Sequence, residues 1–253
     1  MDALSKGIER RINKQSWYSK WVFKLESRRL QNYERSVFDY FEHKIIISEQ
    51  DRNFIFHPER KKIHCVPNGI DDVFLKYEGN INPKFDLVFV GNMSYAPNVD
   101  AVKYIAEKIL PKIPQLSLLV AGATPHTSLI QLSEKTPQIT LAGWVDDIRK
   151  AYTNGKIFLA PMMIGTGMQN KLLEAMALGI PCITTDLANN AINAIDNDSI
   201  IVANNEDEMI SAIQNLLKNE ALRSKIANSG KNYIQNHFSW EESTKLLVNL
   251  VHN

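Results

Sequence analysis

Along these 253 residues, apolar positions first recur at the three- and four-residue steps of a helix and later gather into short runs without polar alternation. From about Tyr18 to Phe41 no Gly or Pro interrupts a charged segment in which Leu30, Tyr33, Val37 and Phe41 share one stripe; the spacing predicts an amphipathic helix. The period then changes. KIIIS (44–48) and IHCV (63–66) read as short strands, the second closed by the turn sequence Pro67-Asn68-Gly69. After a linker at roughly 71–83, six apolar runs alternate with helical patterns such as DAVKYIAEKIL and MQNKLLEAMAL. The runs are DLVFVG (86–91), LSLLVAG (116–122), QITLAG (138–143), KIFLAP (156–161), PCITT (181–185) and SIIVA (199–203). Strands apolar on both faces and spaced by helices predict an α/β fold, a Rossmann-like parallel sheet with helices on both faces. The tail NHFSWEESTKLLVNLVHN opens with Ser239 and Glu242 in capping-box spacing and continues as an amphipathic helix.

Composition narrows what such a chain does. With 44% hydrophobic residues it can bury a real core, and a formal charge of +1 gives no overall field for nucleic acid. The front is nonetheless basic, with nine Lys or Arg in residues 1–35 against Asp2, Glu9, Glu26 and Glu34. Cys65 and Cys182 stand alone in apolar runs, which indicates neither a disulfide framework nor a zinc site and fits a reducing cytoplasm. No apolar run approaches the roughly 18 residues of a membrane span, and MDALSKGIERR lacks the apolar core of a signal peptide.

In an open parallel sheet, ligands bind beyond the carboxyl ends of the strands. Gly91, Gly122 and Gly143 each end such a strand; any one of them is explained by a tight turn, but three at equivalent places point to a ligand lying close to the backbone. After KIFLAP, Gly165 and Gly167 lead into a helix from about Met168 to Leu178, closed by Gly179 and Pro181. The free N–H groups of a first helical turn and the helix dipole favour an anion, so this is a candidate phosphate site. Lys171 stands where the dipole opposes a cation, a placement that makes sense with an anion bound. Glu174 follows three residues on, on the same side of the helix. The plain alternative is a surface Lys-Glu pair. A dinucleotide fingerprint, Gly165-x-Gly167-x-x-Asn170 with Asp186 after the next strand, is a rival reading. Asn170 in place of the third glycine, and glycines that do not directly follow the strand, oppose it. Asp196-Asn197-Asp198 has the form of an Asp-x-Asp metal motif but sits in a turn before a strand of another architecture. Asp146-Asp147 reads as a helix start, and the six histidines lack metal spacing. No metal and no cofactor are expected.

Taken together, LESRRLQNYERSVFDYFEHKIIISEQD, VPNGIDDVF, FVGNMSYAPNVDAVKYIAEKILPKI, LLVAG, LAGWVDDI, LAPMMIGTGMQNKLLEAMALGIPCITT and FSWEES span most of residues 24–243. In this order they resemble the carboxyl-terminal half of family-4 glycosyltransferases of the GT-B fold, especially the sugar transferases of bacterial exopolysaccharide systems. The resemblance implies a donor-nucleotide domain at 70–235, residues 1–69 similar to the end of the acceptor domain, and a last helix crossing back towards it. It implies that Glu174 takes the donor ribose hydroxyls and that Lys171 faces the phosphates. Gly165, Thr166, Gly167 and Met168 match the loop around the diphosphate and sugar, Val145 the backbone that meets the nucleobase, and Gly91 and Asn92 the first donor-domain loop. Gly122 joins them as a strand-end glycine.

The sequence departs from the family in three places. The Glu-x7-Glu pair would place its first glutamate at Thr166; the Arg and Lys that many relatives carry after the first donor-domain strand are missing around Asn92 and Met93; and most of the acceptor half is absent. The implied activity is retaining, metal-independent transfer of a sugar from a UDP- or GDP-type donor to a hydroxyl acceptor, with a lipid-linked saccharide among the candidates. The implied setting is cytoplasmic, with the basic, Trp-bearing front (Trp17, Tyr18, Trp21) either touching the inner membrane face or packing on an acceptor half. A separate acceptor-domain chain, or self-association through the incomplete sheet of KIIIS and IHCV, is the expected protein partner. The alternative function is a nucleotide-sugar binding module or partner subunit without turnover.

Overall fold

The computed structural model describes residues 3–12, 16–79, 81–165 and 167–252. In chain order the first region holds helices α1 (Leu4–Arg11) and α2 (Trp17–Phe38), strand β1 (Ile45–Ile46), helix α3 (Glu49–Phe54) and strand β2 (His64–Cys65). The two strands pair in parallel, Ile45 beside His64 and Ile46 beside Cys65. Ala3, Phe38, Ile46, Ile55 and Ile63 form a small core of their own beneath them. A short helix, α4 (Asp72–Leu75), leads into the alternating region.

That region runs β3 (Phe85–Val90), α5 (Ala96–Tyr104), β4 (Leu118–Ala121), α6 (Thr127–Lys135), β5 (Ile139–Gly143), α7 (Ile148–Thr153), β6 (Gly155–Ala160), α8 (Asn170–Ala177), β7 (Cys182–Thr184), α9 (Asp186–Asn189), β8 (Ile201–Val202), α10 (Glu206–Lys218) and α11 (Glu220–His237). All six strands join one parallel sheet in the order β5-β4-β3-β6-β7-β8. The central strands are buried on both faces, with Leu87, Phe89, Leu118, Val120, Ile157 and Phe158 fully covered. The edge strand β5 instead alternates buried and exposed residues, as a strand with one wet face should. Each predicted run thus became a strand, and the helices between them cover the sheet because a parallel connection must cross over it.

Topology fixes where a ligand can sit. From β3 the chain proceeds outward to β4 and β5, then returns to place β6 on the other side of β3. The crevice at that reversal lies beyond the carboxyl ends of β3 and β6. Helix α8 starts there and buries Leu172, Leu173, Ala175, Met176 and Ala177 against the sheet. Gly179, at φ +71°, ends it: its N–H donates to the Met176 carbonyl while Ile180 N–H donates to that of Ala175.

Helix α2 forms where the spacing predicts, but its apolar stripe does not enter a closed core. Only Ser27 and Phe38 are buried along it, and Tyr33 and Phe41 are exposed. Tyr33, Val37 and Phe41 line an open apolar groove with Ile45, Ile55 and Ile63, while α1 packs on the face around Ser27, whose hydroxyl donates to the Ser5 carbonyl. At the other end, α12 (Trp240–His252) begins with Ser239, whose Oγ accepts from Glu242 N–H at 3.4 Å. Leu246, Leu247, Val248 and Val251 on α12 face outward. No described helix is long and apolar enough to cross a membrane.

Candidate functional site

At the strand-order reversal lies a cleft of about 560 Å³, lined among others by Gly91, Asn92, Asn98, Gly122, Ile148, Tyr152, Met168, Gln169, Lys171 and Glu174. Its floor is the close approach of two strand ends. A Cβ at Gly122, where φ is +143°, would stand 1.7 Å from the Gly91 carbonyl oxygen, and one at Gly91 would stand 2.6 Å from the Asn98 side-chain nitrogen. Only glycine fits the first position, because the Gly91 carbonyl fills the space that a side chain would need.

Helix α8 supplies the chemistry. Its N-cap, Gln169, makes no side-chain cap, and the helix start, with its positive dipole end, borders the cleft through Gln169, Asn170 and Lys171. Lys171 Nζ donates to Asn98 Oδ1 and, at 3.3 Å, to Gln169 Oε1, and it lies 5.4 Å from the centre of the Phe89 ring. Asn98 is itself buried, its amide donating at 2.8 Å to the Asn92 carbonyl, so the loop after β3 positions the lysine. Burial pulls the Lys171 pKa down to about 8, with Glu174 opposing the shift. One turn on, Glu174 Oε2 accepts from the hydroxyl of the fully buried Tyr152 at 2.6 Å. Burial raises the Glu174 pKa against that hydrogen bond and Lys171; burial first, and then Glu174, raise the Tyr152 phenol well above its ordinary range. The phenol therefore remains a donor, and the carboxylate has a fixed orientation.

The Gly-rich loop before α8 touches the first region. Gly165 and Gly167 adopt φ of +128° and +75°. The Gly165 carbonyl accepts from Arg10 Nη1 of α1. Gly167 N–H donates at 3.4 Å to Asp51, a fully buried carboxylate that also takes the Ser48 hydroxyl at 2.6 Å. Thr166 lies outside the described residues.

The structure thus brings Gly91, Asn92, Gly122, Met168, Lys171 and Glu174 into one cleft, with Gly165 and Gly167 on the loop that leads to it. Val145 is placed elsewhere, in a separate concavity with Lys84, Thr140 and Trp144 on the β5 side; from that connection Ile148 reaches the cleft instead. Asn98, Tyr152, Gln169, Asp51 and Arg10 were missed from the sequence. Asn98 alone carried a signal, lying one turn into the helix after Gly91. Asp186, the acid of the dinucleotide reading, heads α9 and takes the Asn204 side-chain amide at 2.6 Å, away from the lining residues. Asp196 is engaged locally, accepting from Val202 N–H at 2.8 Å.

Comparison with known proteins places this geometry. The family model described as "Glycosyl transferases group 1" matches residues 84–219. A capsular polysaccharide biosynthesis glycosyltransferase of Staphylococcus aureus is 26% identical over 178 residues, covering 66% of this chain and 47% of that protein. An Escherichia coli UDP-Gal:alpha-D-GlcNAc-diphosphoundecaprenol alpha-1,3-galactosyltransferase is 26% identical over 200 residues, covering 70% and 51%. The chain therefore spans about half the length of these curated relatives. Among solved structures, Anabaena HepE in complex with UDP and glucose superposes with a TM-score of 0.74 at 11% identity, covering 90% of this chain and 67% of that one. The pneumococcal O-GlcNAc transferase GtfA, in complex with UDP and GlcNAc, gives 0.67 at 19%, covering 89% and 48%. The shared fold is that of GT-B glycosyltransferases.

Proposed function

The chain belongs to the glycosyl transferases group 1 family, and from that premise we propose that its cleft binds a nucleoside diphosphate sugar of the UDP or GDP type. The sugar passes to a hydroxyl acceptor with retention at the anomeric carbon. The observation that carries this reading is the pairing, on one face of α8, of a desolvated lysine at an uncapped helix start with a carboxylate one turn deeper held by Tyr152. A diphosphate fits the first and a ribose diol the second. As the glycosidic bond to the donor breaks, negative charge grows on the departing diphosphate; the α8 N–H groups and Lys171 are already aimed at it, so no metal step is needed.

In this reading residues 70–235 are the donor-binding domain, and 1–69 with 236–253 belong to the side facing the acceptor. The family-4 and exopolysaccharide assignments rest on the resemblance of the sequence stretches and on the capsular relative. The named substrate of the E. coli relative supports a lipid-linked saccharide as acceptor class, and the basic front with Trp17, Tyr18 and Trp21 suits the inner membrane face where such acceptors are met. A further acceptor-binding half, on the same or a separate chain, completes the catalytic site.

Calorimetric titration with UDP, GDP, their sugar conjugates and NAD tests the donor reading. Binding of one nucleotide-sugar class and not of NAD is the expected result, and a preference for NAD overturns it. Lys171→Ala should weaken diphosphate binding at least about tenfold while sparing the nucleoside. Equal losses for both would remove Lys171 from the phosphates.

A further inference from the structure

The cleft is short of positive charge for the ligand assigned to it. Among its described lining residues Lys171 is the one cation and Glu174 the one anion, so their charges cancel. A diphosphate carries more than one negative charge, and the loop after β3 offers no Arg or Lys. A second cation stands on the other side of the Gly-rich loop. Arg10, at the end of α1, donates from Nη1 to the Gly165 carbonyl. A Cβ placed on Gly165 would stand 3.8 Å from the Gln169 side-chain nitrogen, and the oxygen of that same amide accepts from Lys171. Arg10 and Lys171 thus flank one loop.

We propose that Arg10 is a second cation for the donor's diphosphate, delivered to the Gly-rich loop from outside the Rossmann-like domain. This inference rests on the donor-site reading above. A guanidinium has five N–H donors and the Gly165 carbonyl takes one, which leaves a planar fork of the kind that suits phosphate oxygens. Its mount is rigid. The α1 segment is held by Ser5, whose hydroxyl and N–H both donate to Glu34 at 2.6 and 3.0 Å, and by the Ser27 hydroxyl on the Ser5 carbonyl. The guanidinium lies 4.9 Å from the centre of the Phe54 ring, half-withdrawn from water, and desolvation lowers its pKa against the pull of Asp51 and Glu9. A desolvated cation held at a loop carbonyl loses little further hydration on meeting an anion, and the interaction is strengthened by the low local dielectric.

A purely structural role, fastening α1 to the loop, makes a different prediction. Arg10→Gln keeps an N–H donor for the Gly165 carbonyl and removes the charge; Arg10→Ala removes both. Each variant, checked for an intact thermal transition, is titrated with UDP by calorimetry, and uridine is measured by competition against UDP. If Arg10 serves the diphosphate, both variants lose roughly tenfold or more in UDP affinity while uridine changes less than about twofold. UDP binding by Arg10→Gln at the wild-type level, or parallel losses for UDP and uridine, overturns the role. Should the unmodified chain bind neither UDP nor GDP, the donor reading itself fails, an outcome distinct from a tight-binding wild type with silent variants.

Discussion

Lys171 answers to two opposed demands, because burial disfavours its charge while an anionic ligand would require it. Its folded pKa of about 8 lies below the ordinary 10.5, so the protonated ammonium costs stability below pH 8, and that cost fades as pH rises towards 10.5. Ligand binding runs the other way. UDP affinity should be nearly level from pH 7 to 7.5 and fall as pH passes about 8, at a limit of roughly tenfold per unit for one proton. Lys171→Arg, charged throughout, should flatten the profile; a wild-type affinity unchanged from pH 7 to 9.5 would show that the lysine does not meet the phosphates. Tyr152 invites a second test. Tyr152→Phe strips the buried donor from Glu174 and should cost about 1.5–3 kcal/mol of stability, a few degrees in melting temperature. It should also narrow the preference for UDP over its 2′,3′-dideoxy analogue if Glu174 reads the ribose. A variant as stable and as selective as wild type would contradict both roles. Lys171 and Glu174 were legible in the sequence because three-residue spacing on a helix puts them on one face. Tyr152 was not, and Asn98 only through its place one turn into the helix after Gly91, because their bonds to Glu174 and Lys171 form only when distant segments meet in the folded chain.

At the scale of elements, the strand ends separate glycines that shape the cleft from those that merely turn the chain. Gly122→Ala would drive a methyl into the Gly91 carbonyl, and we expect a loss of about 3 kcal/mol or more in denaturant unfolding. Gly143→Ala meets no atom within 4 Å and bears only the left-handed conformation at φ +68°, about 1–2 kcal/mol. Equal costs at the two sites would refute the packing argument. The same contrast explains what could be read beforehand. Six strands were legible because runs apolar on both faces leave a chain few options but the middle of a covered sheet. The fate of the α2 stripe was not: period alone predicts an apolar face and says nothing of what covers it. Which connection residue lines the cleft was equally hidden, since β5 is an edge strand after which Val145 lines another concavity while Ile148 lines the cleft.

The whole molecule carries its apolar surplus at two places that the Rossmann-like core does not use. Trp17, Tyr18, Trp21 and Leu25 stand out on α2, with Trp17 85% exposed, and Leu246, Val248 and Val251 stand out on α12. The cleft at the start of α8 is lined by none of them. Large apolar side chains exposed in this number along two helices point to an interface. Among the described residues β1 and β2 pair only with each other, which leaves open strand edges next to the first region's small core. The isolated 253-residue chain should therefore self-associate at tens of micromolar, seen as a concentration-dependent rise in sedimentation coefficient. Replacing Trp17 and Trp21 together by Glu should shift it towards monomer while UDP affinity stays within about twofold, because the change lies outside the cleft. A chain that sediments as a monomer at every concentration would mean these faces are satisfied without a partner. Loss of UDP binding in the double variant would mean instead that α2 supports the donor site through α1 and Arg10, tying the exposed helix to the chemistry it was taken to stand apart from.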